Sequence, residues 1–164
     1  MKKVVIYQSG TGFTAKYAGW IAEDLGCEAK ELKNVNVNEL TGYDMVIYGG
    51  WIMANNVVGY DKIKTLNLKN PVIFGVGMSV PCQETAAKIA EQNGIPADRF
   101  FYFEGGYNPK KVGFAKRMML NMIKKSVEKK EQKTENELHM LKTFEGADNT
   151  NRDAIKELVN FCRQ

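Results

Sequence analysis

Short apolar runs alternate with amphipathic stretches along the whole chain. Residues 3–7 (KVVIY) are rich in β-branched side chains and show no polar alternation, the pattern of a strand covered on both faces. Residues 44–48 (DMVIY), 71–76 (PVIFGV) and 99–103 (RFFYF) repeat it. Residues 28–32 make a weaker, charged version that suits a sheet edge. Between these runs, residues 14–25 place Tyr17, Ala18, Ile21, Ala22 and Leu25 at helical spacing. Residues 84–92 predict a second helix, stopped by Asn93-Gly94 and Pro96. A long basic helix is predicted from residue 111 to about 130, and a last one over residues 152–161 with Ile155, Leu158, Val159 and Cys162 on one face. Residues 131–150 are polar and have no clear period. The Gly49-Gly50 and Gly105-Gly106 pairs read as strand stops.

Strands alternating with helices predict an α/β chain with a parallel sheet covered on both faces. At 164 residues the expectation is a single domain over 1–164, carrying the basic helix and polar excursion at about 109–150. Ligands of such sheets bind beyond the carboxyl ends of the strands, where strand order reverses. That rule directs attention to the loops after Tyr7, Tyr48 and Val76.

Composition narrows the field. With 44% apolar and 26% charged residues the chain has a globular balance. No apolar run approaches the ~20 residues of a membrane span, and the N-terminal apolar stretch is too short for a secretion signal, so a cytoplasmic location is expected. The three cysteines are far apart, without metal-ligand spacing, which argues against a disulfide framework or a structural metal. Net charge is +4, but residues 109–133 hold nine Lys/Arg against two Glu, a local +7 that leaves −3 for the remainder. This segment suits an anionic contact, whether an acidic partner protein, the inner membrane face in a peripheral association, or an anionic substrate; a solvated helix face is the plain alternative. No nucleic-acid partner is expected.

The richest chemistry lies in the loop after the first strand, Ser9-Gly10-Thr11-Gly12-Phe13-Thr14. Three hydroxyls and two glycines precede a predicted helix, whose N-terminal N–H groups favour anions. Hydroxyls that merely cap the helix are the competing explanation, although a cap needs only one. Gly12 is not followed by the lysine of a Walker loop. A dinucleotide fingerprint would have its third glycine where Ala15 stands.

This loop resembles the phosphate-binding signature of the flavodoxin family, Thr/Ser-x-Thr-Gly-x-Thr, in the family's usual place after an N-terminal strand. The resemblance implies a flavodoxin-like three-layer sandwich, with a five-stranded parallel sheet of order 2-1-3-4-5, and FMN as cofactor. Ser9, Gly10, Thr11, Gly12, Phe13 and Thr14 would then hold the phosphate without a basic side chain, matching the absence of Lys and Arg from residues 4–15. Gly50, Trp51, Ile52, Met53, Ala54 and Asn55 would flank the flavin, with Trp51 stacked on one ring face. Gly77, Met78 and Ser79 would line the other side, where no aromatic residue occurs between Phe74 and Phe100; that face would be open or covered by Met78 or Val80. Over about 25 residues from Gly105, the basic segment also resembles the branch that includes the flavodoxin-type protoporphyrinogen dehydrogenase.

The function so implied is electron transfer to or from a partner protein by an FMN-binding redox protein. The alternatives are a dehydrogenase of the protoporphyrinogen-oxidising type, acting on a bulky apolar anionic substrate, and a regulatory module that keeps the fold without a cofactor. Ala115, Met118, Met119, Met122 and Ile123 form a stripe expected to pack on the sheet as core. His139 is expected to face solvent.

Overall fold

In the computed structural model, which describes residues 1–164, the apolar runs become the strands of one sheet. In chain order the elements are β1 (Lys3–Gln8), α1 (Phe13–Leu25), β2 (Glu28–Glu31), β3 (Met45–Met53), β4 (Asn56–Val57), α2 (Asp61–Lys64), β5 (Pro71–Gly77) and α3 (Gln83–Asn93). There follow β6 (Phe100–Glu104), β7 (Gly106–Tyr107), α4 (Phe114–Glu128), α5 (Glu135–Thr143), β8 (Ala147–Asp148) and α6 (Lys156–Arg163). The main path runs β2-β1-β3-β5-β6 with every pairing parallel, which is 2-1-3-4-5 when only parallel strands are counted. This is the flavodoxin-like α/β order.

Alternate strand residues point to opposite faces. Val5, Ile47, Val72 and Phe74 meet Tyr17, Ala18 and Ile21 of α1 and Leu158, Val159 and Cys162 of α6. Val4, Ile6, Val46, Tyr48 and Ile73 meet Leu40, Ile63 of α2, and Ile89 and Ala90 of α3. The result is three layers, and each fully buried Val, Ile or Leu is worth roughly 1.5–3 kcal/mol of transfer free energy. α1 and α3 both end on left-handed glycines, Gly26 (φ 63°) and Gly94 (φ 68°), whose N–H groups close the last turns.

Three expectations need correction. First, Gly49-Gly50 does not stop β3, which runs on to Met53 and turns back into β4 as a two-residue hairpin through Ala54 and Asn55. Glycine is required within this strand because neighbours fill the space of a side chain. A Cβ on Gly49 would lie 1.9 Å from Phe74 Cζ, and one on Gly50 would lie 2.5 Å from the Val58 carbonyl oxygen. The second glycine pair does stop its strand, since β6 ends at Glu104, and Gly106 then opens β7, which pairs with β8.

Second, the basic helix is shorter than its pattern suggests, starting only after Gly113, and its apolar stripe does not pack on the sheet. Both sheet faces are already covered, by α1 and α6 on one side and α2 and α3 on the other. α4 therefore packs with α5 in an insertion between β6 and α6. Phe114, Met118 and Met122 remain 79%, 55% and 70% exposed. Beneath the insertion, Tyr107, Val112 and Phe144 make a third small core with Met78, Leu120 and Met140 around it.

Third, His139 is half-buried rather than solvent-facing. Its ring pairs with the Glu104 carboxylate, which also accepts the Asn149 side-chain N–H at 2.8 Å, so α5 is tied to the end of β6.

Candidate cofactor site

The carboxyl ends of β1, β3 and β5 open into a cavity of about 430 Å3, roofed by α4 and α5. The loop after β1 shows why it holds its shape. Gly12 takes φ 106°, a conformation that favours glycine, and acts as the N-cap of α1 without any side-chain cap bond. Ser9 Oγ accepts the Gly12 N–H at 3.1 Å, bracing the turn from inside. The first bond into the helix is Lys16 N–H to the Gly12 carbonyl at 3.0 Å, which leaves the N–H groups of Phe13, Thr14 and Ala15 without chain partners.

The three hydroxyls consequently differ in role. Ser9 serves the loop itself. Thr11 is half-buried and Thr14 is only 2% exposed, and both line the cavity. No hydrogen bond within the chain engages the Thr14 hydroxyl, yet it is not sealed off, because no unpartnered side-chain oxygen is fully buried. The capping explanation is thereby set aside: none of the three hydroxyls caps α1.

The second wall is the β3–β4 hairpin. Its turn residues Ala54 and Asn55 both have positive φ (48° and 61°), as a tight two-residue turn requires. The end of α3 clamps it: Gln92 Nε2 donates to the Ala54 carbonyl (2.9 Å), Asn93 Nδ2 to the Asn55 carbonyl (2.7 Å), and Asn93 Oδ1 accepts the Val57 N–H (3.0 Å). Trp51, Ile52, Met53, Ala54 and Asn55 all line the cavity. The Trp51 carbonyl is held by the Val58 N–H at 3.0 Å.

Gly77, Met78 and Ser79 form the third wall. Tyr102 fixes it, its hydroxyl accepting the Ser79 N–H at 3.1 Å and donating to the Ser79 carbonyl at 3.0 Å. Burial pushes the Tyr102 phenol well above its ordinary pKa, so it remains a neutral donor. Of the two side chains considered as cover here, Met78 lines the cavity and exposed Val80 does not.

Two of the sequence-derived residues lie elsewhere. Gly50 is outside the cavity lining, packed under Val58, and its part is to let the strand pass. Gly12 borders an adjoining polar cleft with Lys110 and Lys111. Sequence reasoning missed the roof: Lys116, Met119, Leu120, Ile123, Met140 and Phe144 also line the cavity. For Met119 and Ile123 the advance signal is the stripe spacing of α4, which says that a face is apolar but not what it faces. Lys116 brings charge to a site expected to have none. Its ammonium lies 3.5 Å from the Trp51 ring centroid, and burial pulls its pKa below the usual lysine range.

A mostly apolar cavity with an indole wall, ending in free N–H groups and hydroxyls at a helix start, fits an aromatic ring joined to a phosphate monoester. Comparison with known proteins agrees in fold. The model of a family described as flavodoxin domain matches residues 4–135. Among solved structures, a flavodoxin from the domain Archaea is similar at 17% identity and TM-score 0.46, over 76% of this chain and 98% of that one. Oxidised flavodoxin 2 from Bacillus cereus is similar at 20% identity and TM-score 0.47, over 63% and 84%. The rubredoxin oxygen:oxidoreductase of Desulfovibrio gigas is similar at 20% identity and TM-score 0.44, over 96% of this chain and 37% of that one. No curated protein matches the sequence.

Proposed function

Since the chain belongs to the flavodoxin domain family, we propose that it binds FMN and passes electrons to or from a redox partner. The observation that carries this reading is the start of α1, where three unpaired N–H groups and the cavity-lining hydroxyls of Thr11 and Thr14 meet the Trp51-walled cavity. When bound, FMN supplies the redox chemistry; the chain supplies binding, orientation and electrostatics. Phe13, Thr14 and Ala15 would donate backbone N–H bonds to the phosphate, and Thr11 and Thr14 their hydroxyls. Trp51 would give a flat, polarisable wall to the ring, and the clamped hairpin would keep that wall in place. Met119, Leu120 and Ile123 of the roof would exclude water from the ring.

A second reading, a dehydrogenase of the protoporphyrinogen-oxidising type, is favoured by one observation: the apolar roof continues outward into exposed Met118 and Met122, which would suit a bulky apolar substrate. Around that stripe stand Arg117, Lys124 and Lys125. No helix is long and apolar enough to cross a membrane. We assign this outer face of α4 to peripheral contact with an anionic lipid surface, whose charge complements the helix and whose interface accepts Phe and Met.

The decisive experiment is the visible spectrum of the purified protein with mass analysis of the released chromophore. FMN is expected. FAD alone, or a protein that stays colourless after FMN is added, overturns the proposal.

A further inference from the structure

The basic segment meets the phosphate loop at its far end. Lys116 Nζ stands 3.0 Å from the position a Cβ on Gly10 would take, and Lys111 Nζ stands 3.9 Å from the equivalent point on Gly12. The two glycines of the loop thus face one ammonium each, and Gly10, Thr11, Lys111 and Lys116 border a common cleft. The lysines are presented by a braced strap. Lys111 N–H bonds the Asn108 carbonyl at 3.0 Å, and the Arg117 guanidinium donates to the carbonyls of Pro109 and Val112. Val112 is buried beside Tyr107 and Phe144.

What the two ammonium groups lack is an anion. Two lysines close by do have one: Lys16 pairs with Asp148 at 2.8 Å, and Lys124 with Glu128 at 3.8 Å. No carboxylate stands within ion-pairing distance of Lys111 or Lys116, and half-buried Lys116 has only the face of Trp51 as counterpart. Two cations and the positive end of α1 converge on one loop, and the one carboxylate of the adjoining cleft, Asp148, is already engaged by Lys16. In water such an arrangement is self-repelling unless an anion enters.

We infer that Lys111 and Lys116 complete the phosphate site, taking the dianion of a phosphate monoester as their counter-ion and setting the preference for FMN over riboflavin. The inference rests on the FMN reading above and adds to it a charged half of the site that comes from the insertion. It also assigns Lys116 a change of partner. A ring stacked on the indole face where Lys116 now lies displaces the ammonium, and the phosphate loop beside Gly10 is within the reach of the same side chain.

The test titrates apoprotein with FMN and with riboflavin, following flavin fluorescence, in wild type, Lys111→Gln, Lys116→Gln and the double variant. A lost hydrogen bond to a charged group should weaken FMN binding by about 10-fold or more per lysine, with riboflavin affinity nearly constant. Lys116→Arg should retain the FMN preference, and the double variant should lose most of the salt dependence of FMN binding. Lys125→Gln, on the exposed face of α4, should leave the ratio unchanged. An unaltered FMN-to-riboflavin ratio in the double variant overturns the inference while FMN binding itself stands. An equal loss in Lys125→Gln overturns it too, because bulk charge would then explain the effect. If wild type binds neither flavin, it is the FMN reading that fails.

Discussion

Thr14→Val separates a ligand-binding hydroxyl from a structural one. The side chain is 2% exposed in the first turn of α1, and valine keeps its shape and β-branching. Were the hydroxyl a helix cap, its loss would destabilise the protein by about 1 kcal/mol. The N-cap is instead Gly12, with no side-chain bond, and no group of the chain engages the Thr14 oxygen. Removing it from the apoprotein should therefore cost nothing, and relief of a poorly solvated hydroxyl can add up to about 1 kcal/mol, or roughly 2–4 °C in Tm for a chain of this size. Binding should change in the opposite direction. A hydrogen bond to a charged group is worth about 1.5–3 kcal/mol, so FMN affinity should drop roughly 10- to 150-fold while riboflavin affinity holds. Thermal unfolding of the apoprotein and flavin titration read the two effects separately. A destabilised apoprotein with undiminished FMN affinity would refute this reasoning and make Thr14 part of the scaffold.

Three further outcomes follow from the same geometry. Gly49→Ala should destabilise the fold by about 1–3 kcal/mol in urea unfolding, because its methyl would overlap the Phe74 ring in a layer already covered by α1 and α6; a neutral result would mean that this packing is loose. Thiol labelling of the native protein should modify exposed Cys82 first, since hydrogen bonding from Thr85 lowers its pKa, whereas burial pushes Cys162 up to about 11 and should protect it until the chain unfolds; equal rates would contradict the core arrangement of α6. Vesicles containing phosphatidylglycerol should retain the protein at low salt and release it as salt rises, and Phe114→Ser with Met122→Ser should weaken retention; equal retention on purely zwitterionic vesicles, or none on either, would remove the lipid contact.

How far each part was legible depends on where its determinants lie. The strands at residues 3–7, 44–48, 71–76 and 99–103 declare themselves because a β-branched apolar run is a local signal, and parallel pairing follows from the helices between them. The loop after β1 is equally local, with hydroxyls, glycines and helix start within six consecutive residues. Gly49-Gly50 misleads because the reason for those glycines sits in other segments, in the Phe74 ring and the Val58 carbonyl. α5 was readable from its own chemistry: Thr134 and Glu137 have capping-box spacing and form that box, with Thr134 Oγ1 accepting the Glu137 N–H and the Glu137 carboxylate accepting the Thr134 N–H.

α4 marks the limit of periodicity as a guide. Its stripe is genuine, but a stripe names no partner, and whether it meets a sheet or a cavity depends on what else covers the sheet. Because α6 supplies the layer beside α1, α4 is released to roof the site, and Lys116 arrives opposite Gly10 although they are far apart in sequence. The absence of Lys and Arg from residues 4–15 is therefore a statement about the loop and not about the site. The neutral half of the proposed phosphate cradle is written in consecutive residues, and the two lysines proposed to complete it reach the loop only once the insertion has folded over it.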